Sequence, residues 1–301
     1  MSTPRPVTRI HTIGIVGAGT MGSGIAQVAL MAGLRVLLYD LKPSQVQRAT
    51  ETLQKNLRQA VERGKISEEA FQQALERFEG TTHFSRLAEA DFVLEAVVEQ
   101  LETKQALFEN LDQVCPPDVV LASNTSSLPI TGIAAATRRA ELVVGMHFFN
   151  PAYTMKLVEV VRGHLTSPET ISCTCALAER MGKVPVVVQD TPGFLVNRVA
   201  RPFYGEALRI VGDGIATVEQ VDRLVRAAGF RMGPFELMDL IGIDVNLAVT
   251  RSVYNAYFHE PRYQPHLIQH RMVQAGLLGR KSGRGFYWYS EPDSEKEVSS
   301  P

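Results

Sequence analysis

The chain is poor in cysteine and tryptophan, has almost no net charge and lacks any long uninterrupted apolar run. Its three cysteines are odd in number and too few for a disulfide framework, which is typical of a reducing compartment. Lys and Arg total 31 against 32 Asp and Glu, so a net charge of -1 gives no electrostatic reason to expect nucleic acid or an anionic membrane as a partner. No apolar run is long enough to cross a bilayer, and no charged and then apolar leader precedes the first predicted strand. We therefore expect a soluble protein of the cytoplasm.

The alternation of short apolar runs with helical stretches in the first half predicts an α/β domain. Several runs are apolar throughout rather than alternating, as expected for strands of a largely parallel sheet with helices on both faces. A length of 301 residues exceeds that of one usual domain, so two domains are expected. The predicted strands cover residues 13–16, 36–39, 92–96, 119–123, 142–147, 157–161 and 184–188.

Two features interrupt this alternation. Residues 44–78, rich in Gln, Glu, Arg and Ala, predict a hairpin of two helices, 44–63 and 67–78, with Ser67 as the N-cap of the second. After residue 188 the turn sequence DTPG is followed by helical patterns, and strand-like runs nearly vanish. We expect a Rossmann-type, doubly wound sheet over residues 1–190 with the helical hairpin inserted, and a mostly helical C-terminal domain over residues 191–301.

The sequence GAGTMG, residues 17–22, lies between a predicted strand and a predicted amphipathic helix. In this order Gly17 permits a tight turn, Gly19 lets the backbone approach a dinucleotide pyrophosphate, and Gly22 lets the helix pack closely on its strand. An ordinary turn that binds no ligand is the alternative interpretation. The predicted cofactor-binding turn comprises Gly17, Gly19, Thr20, Met21 and Gly22.

Asp40 strengthens the dinucleotide interpretation. It ends the second predicted strand, 18 residues after Gly22, where an acidic side chain accepts hydrogen bonds from the adenosine ribose. A carboxylate at this position repels a 2′-phosphate, so the sequence favours NAD over NADP. Lys42 follows two residues later and could soften that preference, although a solvated turn residue is the simpler interpretation.

Candidate catalytic side chains follow strands at their carboxyl ends, where open α/β sheets bind ligands. His147 ends a buried type of strand, and a nicotinamide enzyme that oxidises an alcohol needs such a base. The polar loop 123–127 also follows a strand, although a polar turn is an equally good interpretation of it alone. Glu159 lies among valines 12 residues after His147; a buried charge there requires a partner, and an imidazole is the natural one.

The sequence predicts no metal site. His266 and His270 share a helical face, but no carboxylate follows at ligand spacing, so a surface pair is the better interpretation. Cys173 and Cys175 lack the spacing and the companions of a zinc site, and inert thiols are expected there.

Seven motifs in unbroken order, from about residue 10 to residue 289, resemble those of short-chain 3-hydroxyacyl-CoA dehydrogenases, including 3-hydroxybutyryl-CoA dehydrogenases. One alone would be weak, but seven in register are specific. They are GAGTMG with Asp40, ASNTSSL (122–128), HFFNP (147–151), MKLVEV (155–160), DTPGFLVNR (190–198), GPFELMDLIGID (233–244) and GRKSGRGFY (279–287).

The resemblance implies a reversible, NAD-dependent oxidation of (S)-3-hydroxyacyl-CoA to 3-ketoacyl-CoA in fatty acid β-oxidation or related metabolism. His147 is then the acid/base, Glu159 orients it, and Ser126 and Asn197 bind the substrate oxygen between the domains. The helical hairpin would cover coenzyme A, and the C-terminal domain resembles the dimerisation region of the family. Further cofactor-binding residues implied in the same way are Glu99, Lys104, Asn124, Asn150 and Lys281.

Two other functions stay open from the sequence. Dehydrogenases of the 3-hydroxyisobutyrate type also join a Rossmann domain to a helical one, but they use a catalytic lysine where this chain has a His and a Glu. A noncatalytic NAD-binding protein would keep the fold without turnover. The acyl chain length, a second carboxylate on the substrate and the direction of the reaction are not encoded in these motifs.

Overall fold

The computed structural model describes residues 3–289 and contains two compact units, the first ending at Phe194 and the second beginning at Leu195. The sequence places the domain boundary near residue 190. Residues 290–301, which end the predicted helical domain, lie outside the described residues. Within the described part, no helix is both long enough and apolar enough to cross a membrane.

The first unit is built on one eight-stranded sheet with the order β3-β2-β1-β4-β5-β6-β7-β8. All neighbouring strands are parallel except β6 and β7, which are antiparallel. The doubly wound, mostly parallel sheet expected from the sequence is therefore confirmed. The strands are β1 (Thr12–Val16), β2 (Arg35–Tyr39), β3 (Phe78–Thr81), β4 (Phe92–Glu95), β5 (Val120–Ser123), β6 (Val143–Phe148), β7 (Leu157–Arg162) and β8 (Val184–Gln189).

Helices cover both faces of this sheet, and the strand residues alternate between them. Ile13 and Ile15 belong to one apolar core with α1 (Thr20–Met31), whereas Val16 belongs to a second core with α4 (Leu101–Val114). Burial on both sides explains why these strands are apolar throughout. The helices of this unit are α1 (Thr20–Met31), α2 (Pro43–Glu62), α3 (Glu68–Glu76), α4 (Leu101–Val114), α5 (Ile130–Ala134) and α6 (Pro168–Arg180).

The inserted hairpin consists of α2 and α3, as predicted, but its end differs from the prediction. Ser67 caps α3, and its hydroxyl accepts a hydrogen bond from the amide of Ala70 at 3.2 Å. The predicted helix over 67–78 stops at Glu76, and Phe78 begins the edge strand β3 beside β2. A four-residue edge strand has no apolar run long enough to be recognised in the sequence. The sequence pattern therefore predicts a helix that continues through these residues.

The second unit is helical and has its own apolar core. Thr217 and Gln220 form a capping box at the start of α8 (Val218–Ala227). The chain beyond Gly279 is fixed by Asp239, whose carboxylate accepts hydrogen bonds from the amides of Phe286 and Tyr287 at 3.0 Å. The helices are α7 (Val196–Gly212), α8 (Val218–Ala227), α9 (Pro234–Ile241), α10 (Ile243–Ala256) and α11 (Leu267–Gln274), and short 3-10 turns occur at Val7–Arg9, Phe84–Glu89, Ala140–Leu142, Pro261–Tyr263 and Arg280–Ser282.

Candidate active site

The glycine turn after β1 has the shape that a dinucleotide site requires. Gly17 has a φ of 107°, and a Cβ there would lie 2.6 Å from the carbonyl oxygen of Ala96. A Cβ on Gly22 would lie 1.8 Å from the carbonyl oxygen of Gly17, so α1 packs closely on the turn. A Cβ on Gly19 would meet nothing within 4 Å in the part of the chain described. The space beside Gly19 is therefore open within the described chain, so a pyrophosphate can approach the backbone from that side.

Asp40 follows β2 and connects its end to the glycine turn. One carboxylate oxygen accepts a hydrogen bond from the amide of Ala18 at 2.9 Å, and the other accepts one from the amide of Lys42 at 2.9 Å. Each oxygen keeps a further lone pair, so the carboxylate can also accept from a ribose diol. The side chain of Lys42 is exposed, as for a solvated turn residue. These residues fit NAD.

The carboxyl ends of β1, β2, β4, β5 and β6 lie at one edge of the sheet because these strands are parallel. The fold thus brings the glycine turn and Asp40 to the same edge as the polar loop 123–127 and His147. This edge contains the candidate active site of the first unit.

His147 and Glu159 are directly opposite each other across the antiparallel strands β6 and β7. The Nδ1 atom of His147 lies 2.7 Å from Oε2 of Glu159, so the imidazole expected as partner of Glu159 is present. The histidine is 6% exposed and the glutamate 0% exposed. The imidazole also contacts the rings of Phe149 and Phe194, at centroid distances of 4.5 and 6.0 Å. The Glu159 carboxylate accepts a hydrogen bond from Nδ1–H, which leaves Nε2 available for acid/base chemistry.

The loop after β5 gathers hydroxyl and amide donors around Glu99. One oxygen of Glu99 accepts hydrogen bonds from the Thr125 hydroxyl at 2.6 Å and from the Ser126 amide at 2.9 Å, and the Ser126 hydroxyl lies 3.3 Å away. Burial opposes ionisation of Glu99, but the Lys104 ammonium at 3.3 Å and these hydrogen bonds outweigh it, so the pKa of Glu99 is lowered. Glu99 is therefore a carboxylate that orients Ser126.

Two asparagines at this edge were expected to contact the cofactor. The side-chain oxygen of Asn124 accepts a hydrogen bond from the amide of Phe148 at 2.8 Å, which ties the β5 loop to the end of β6. Asn150 lies exposed in the loop after β6. Lys183 stabilises the segment after Asn150, because its ammonium donates hydrogen bonds to the carbonyl oxygens of Ala152 at 2.5 Å and Met155 at 2.9 Å.

Sequence reasoning missed Glu95, the last residue of β4, which is 0% exposed and accepts a hydrogen bond from the Ser123 hydroxyl at 2.6 Å. A usable signal was present: Glu95 interrupts the apolar run FVLEAV as Glu159 interrupts its own. Lys104 is its partner but resembles a surface lysine in the helical pattern of α4.

Two predicted site residues belong to the second unit. Asn197 lies in the first turn of α7, and its carbonyl accepts a hydrogen bond from Nε of Arg201 at 3.2 Å. Lys281 forms an ion pair with Asp244, at 2.6 Å between Nζ and Oδ1. Their roles toward substrate and cofactor stay predictions.

The metal and thiol alternatives gain no support. Nδ1 of His266 accepts a hydrogen bond from the amide of Ile268 and so caps α11. No group of three or more His, Cys, Asp or Glu residues suited to a metal ion occurs within residues 3–289. Burial raises the pKa of Cys115 and of Cys173 to about 11, which keeps both thiols protonated and unreactive at neutral pH.

Comparison with known proteins identifies the family of this chain. Residues 12–191 match the family model of the 3-hydroxyacyl-CoA dehydrogenase NAD binding domain, and residues 193–289 match that of the 3-hydroxyacyl-CoA dehydrogenase C-terminal domain. A probable 3-hydroxybutyryl-CoA dehydrogenase of Bacillus subtilis is 44% identical, over 95% of this chain and 99% of its own length. A 3-hydroxyadipyl-CoA dehydrogenase of Escherichia coli is 48% identical over 95% of this chain, which spans 60% of that protein.

Solved structures give the same result. The crystal structure of (S)-3-hydroxybutyryl-CoA dehydrogenase from Ralstonia eutropha is 41% identical, with a TM-score of 0.90 over 94% of this chain and 100% of that chain. The fold is therefore shared along nearly the whole length. The chain belongs to the 3-hydroxyacyl-CoA dehydrogenase family, a family of NAD-dependent oxidoreductases that acts in acyl-CoA metabolism.

Proposed function

We propose that this chain interconverts (S)-3-hydroxyacyl-CoA and 3-ketoacyl-CoA with NAD, in fatty acid β-oxidation or a related acyl-CoA pathway. The observation that carries the proposal is the buried contact of 2.7 Å between His147 and Glu159, at the same sheet edge as the glycine turn. A dehydrogenase needs its base beside its hydride acceptor, and this edge offers both.

In the oxidation, Nε2 of His147 takes the proton of the substrate 3-hydroxyl while the hydrogen on the same carbon leaves as hydride. Glu159 stabilises the imidazolium that forms and keeps Nδ1 protonated. Ser126 and Asn197 donate hydrogen bonds to the reacting oxygen as the C–O bond becomes C=O. NAD, when bound, supplies the hydride acceptor. In the reverse direction His147 returns the proton to the oxygen.

The cofactor site consists of the residues predicted from the sequence. The glycine turn receives the pyrophosphate and Asp40 the adenosine ribose. Glu99, Asn124, Asn150 and Lys281 line the nicotinamide side, and Lys104, which is 1% exposed, supports that side through its ion pair with Glu99.

The hairpin is the proposed cover of coenzyme A. Arg58 and Lys55 lie beside an open groove of about 500 Å³ on α2 and α3. The Arg58 guanidinium lies 4.1 Å from the centre of the Phe71 ring and is paired with Glu68 at 2.7 Å. Lys55 and Arg58 border the groove with positive charge, which suits the phosphates of coenzyme A.

We also propose a homodimer formed through the second unit, which exposes several apolar side chains. A cytoplasmic location stays a prediction from the sequence.

The test is oxidation of NADH by the purified protein with a panel of 3-ketoacyl-CoA esters, followed as loss of absorbance of the reduced nicotinamide. Acetoacetyl-CoA, 3-ketohexanoyl-CoA and 3-ketoadipyl-CoA separate chain length from a terminal carboxylate, since the last two differ only in that group. Turnover of at least one ester is expected. No turnover of any ester, with NADH still bound, would favour the noncatalytic protein. Reduction of NAD by 3-hydroxyisobutyrate, in a protein that turns over no ester, would favour the rival dehydrogenase class.

A further inference from the structure

Glu95 lies at the end of β4, fully buried, and both of its oxygens accept hydrogen bonds. Oε1 lies 2.5 Å from the ammonium of Lys104 and 2.6 Å from the amide of Val97, and Oε2 accepts from the hydroxyl of Ser123 at 2.6 Å. Both oxygens face groups that donate hydrogen bonds, as a carboxylate requires. Burial of such a charge requires a partner, and Lys104 is that partner.

Lys104 is shared by two carboxylates. Its side chain is 1% exposed, and its ammonium lies 2.5 Å from Glu95 and 3.3 Å from Glu99. Two negative charges and one positive charge leave this cluster, which we call the β4 charge cluster (Glu95, Glu99 and Lys104), with a net charge of -1. Lys104 can balance only one of the two carboxylates, so neutralising Glu95 removes the excess negative charge.

This excess charge matters for a nicotinamide cofactor because the ring is positively charged when oxidised and neutral when reduced. A fixed negative charge near the ring therefore stabilises bound NAD more than bound NADH. The remainder of the cofactor is identical in the two forms. Glu95 is too deeply buried to contact a ligand, so its effect must be exerted through its charge and through the position of Lys104.

We propose that Glu95 is a positioning residue that holds Lys104 and makes the nicotinamide side of the site selective for oxidised over reduced NAD. The inference rests on the proposed function, in which Glu99 and Lys104 lie on the nicotinamide side. A buried ion pair that only packs β4 against α4 would instead affect both redox states equally.

Equilibrium binding of both redox forms tests the proposal. In Glu95→Gln the side chain keeps its size and an acceptor for Lys104 but loses its charge. The Kd for NAD is expected to rise about three- to tenfold relative to the Kd for NADH. NADH binding is measured by its fluorescence and NAD binding by competition, so no turnover is required.

Two variants serve as controls. Ser123→Ala removes the hydrogen bond to Oε2 but keeps the charge, and its ratio of the two Kd values should equal that of the wild type. Glu95→Asp also keeps the charge, so its ratio should stay near the wild-type value even if both affinities fall. Equal losses for NAD and NADH in Glu95→Gln would overturn the proposal.

Further outcomes separate this inference from the proposed function. If Glu95→Gln does not fold, Lys104→Gln provides the opposite test: it makes the cluster more negative and should shift the ratio toward NAD. An unchanged or reversed ratio there would again overturn the proposal. A wild-type protein that binds neither redox form would contradict the proposed function itself.

Discussion

At the scale of single residues, carboxylates at the sheet edge are held by donors from neighbouring segments rather than by their own strand. Asp40 accepts hydrogen bonds from amides of the glycine turn and of its own turn. Glu99 accepts hydrogen bonds from the loop after β5, and Glu159 accepts one from His147 on the neighbouring strand β6. Each carboxylate therefore ties a second segment of the chain to the sheet edge. Its oxygens can still accept hydrogen bonds from a ligand, so the effect of a substitution on ligand binding can be measured apart from its effect on the fold.

Asp40→Ala should weaken NAD binding by about 1 to 3 kcal/mol, because it removes a charge-assisted acceptor from the ribose hydroxyls. Discrimination against NADP should relax at the same time, since the charge that repels a 2′-phosphate is lost. Titration of wild type and variant with both cofactors measures the two effects together. A wild type that already prefers NADPH would show that Asp40 has been assigned the wrong role.

Ser126→Ala should lower kcat more than it raises the KM for a coenzyme A ester. One hydroxyl acts on the reacting oxygen, whereas the coenzyme A moiety provides most of the binding. Ser127→Ala is the matched control, because Ser127 is adjacent and its hydroxyl lies 3.5 Å from the same oxygen of Glu99. An unchanged kcat with a raised KM would make Ser126 a simple binding contact, and a larger loss in Ser127→Ala would exchange the two roles.

At the scale of elements, the single antiparallel strand pair of the sheet brings His147 and Glu159 together. A parallel neighbour of β6 would require a crossover, whereas β7 returns directly and places Glu159 opposite His147. The two side chains thus share one register position and one face of the sheet, and a shift of one residue would separate them.

His147→Gln should leave the fold and NAD binding intact but lower turnover by about 10² to 10⁴, the usual contribution of a positioned acid/base. Glu159→Gln should also lower turnover strongly, because a neutral amide cannot stabilise the imidazolium of His147. If the two act as one unit, the double variant should be little worse than His147→Gln alone. If the losses of turnover in the two single variants add in the double variant, Glu159 has a role separate from His147. Wild-type turnover in His147→Gln would contradict the proposed mechanism.

The strands, the hairpin and this pair were predictable because each has a strong local pattern. An apolar run of a central strand is visible in the sequence, and a lone Glu159 within such a run shows that a partner must exist. β3 was missed because a half-buried edge strand containing Gly80 has no such run. Glu95 carries the same signal, a lone carboxylate in the run FVLEAV, but no local pattern identifies its partner, because Lys104 is buried only once α4 is docked on the sheet.

At the scale of the molecule, the two units have separate apolar cores and differ in what they expose. On the second unit, Val199 and Phe203 are four residues apart on α7, and the ring of Phe203 stacks on that of Phe230 at 5.6 Å. Val199 is 66% exposed and Phe230 56% exposed. We call Val199, Phe203 and Phe230 the α7 apolar face. Contiguous apolar surface of this kind is typical of a protein interface.

We expect this face to be buried between two copies of the chain, giving a particle of twice 33.2 kDa. Val199→Asp should then dissociate the dimer, because an unpaired carboxylate in an apolar interface costs several kcal/mol, enough to raise the dimer Kd by about a hundredfold or more. Sedimentation equilibrium over a range of concentrations measures the change. Ile215→Asp is the matched control, since Ile215 is 73% exposed but lies beyond the other end of α7. A dimer lost in Ile215→Asp and kept in Val199→Asp would place the interface elsewhere on this unit, and a monomeric wild type would remove it.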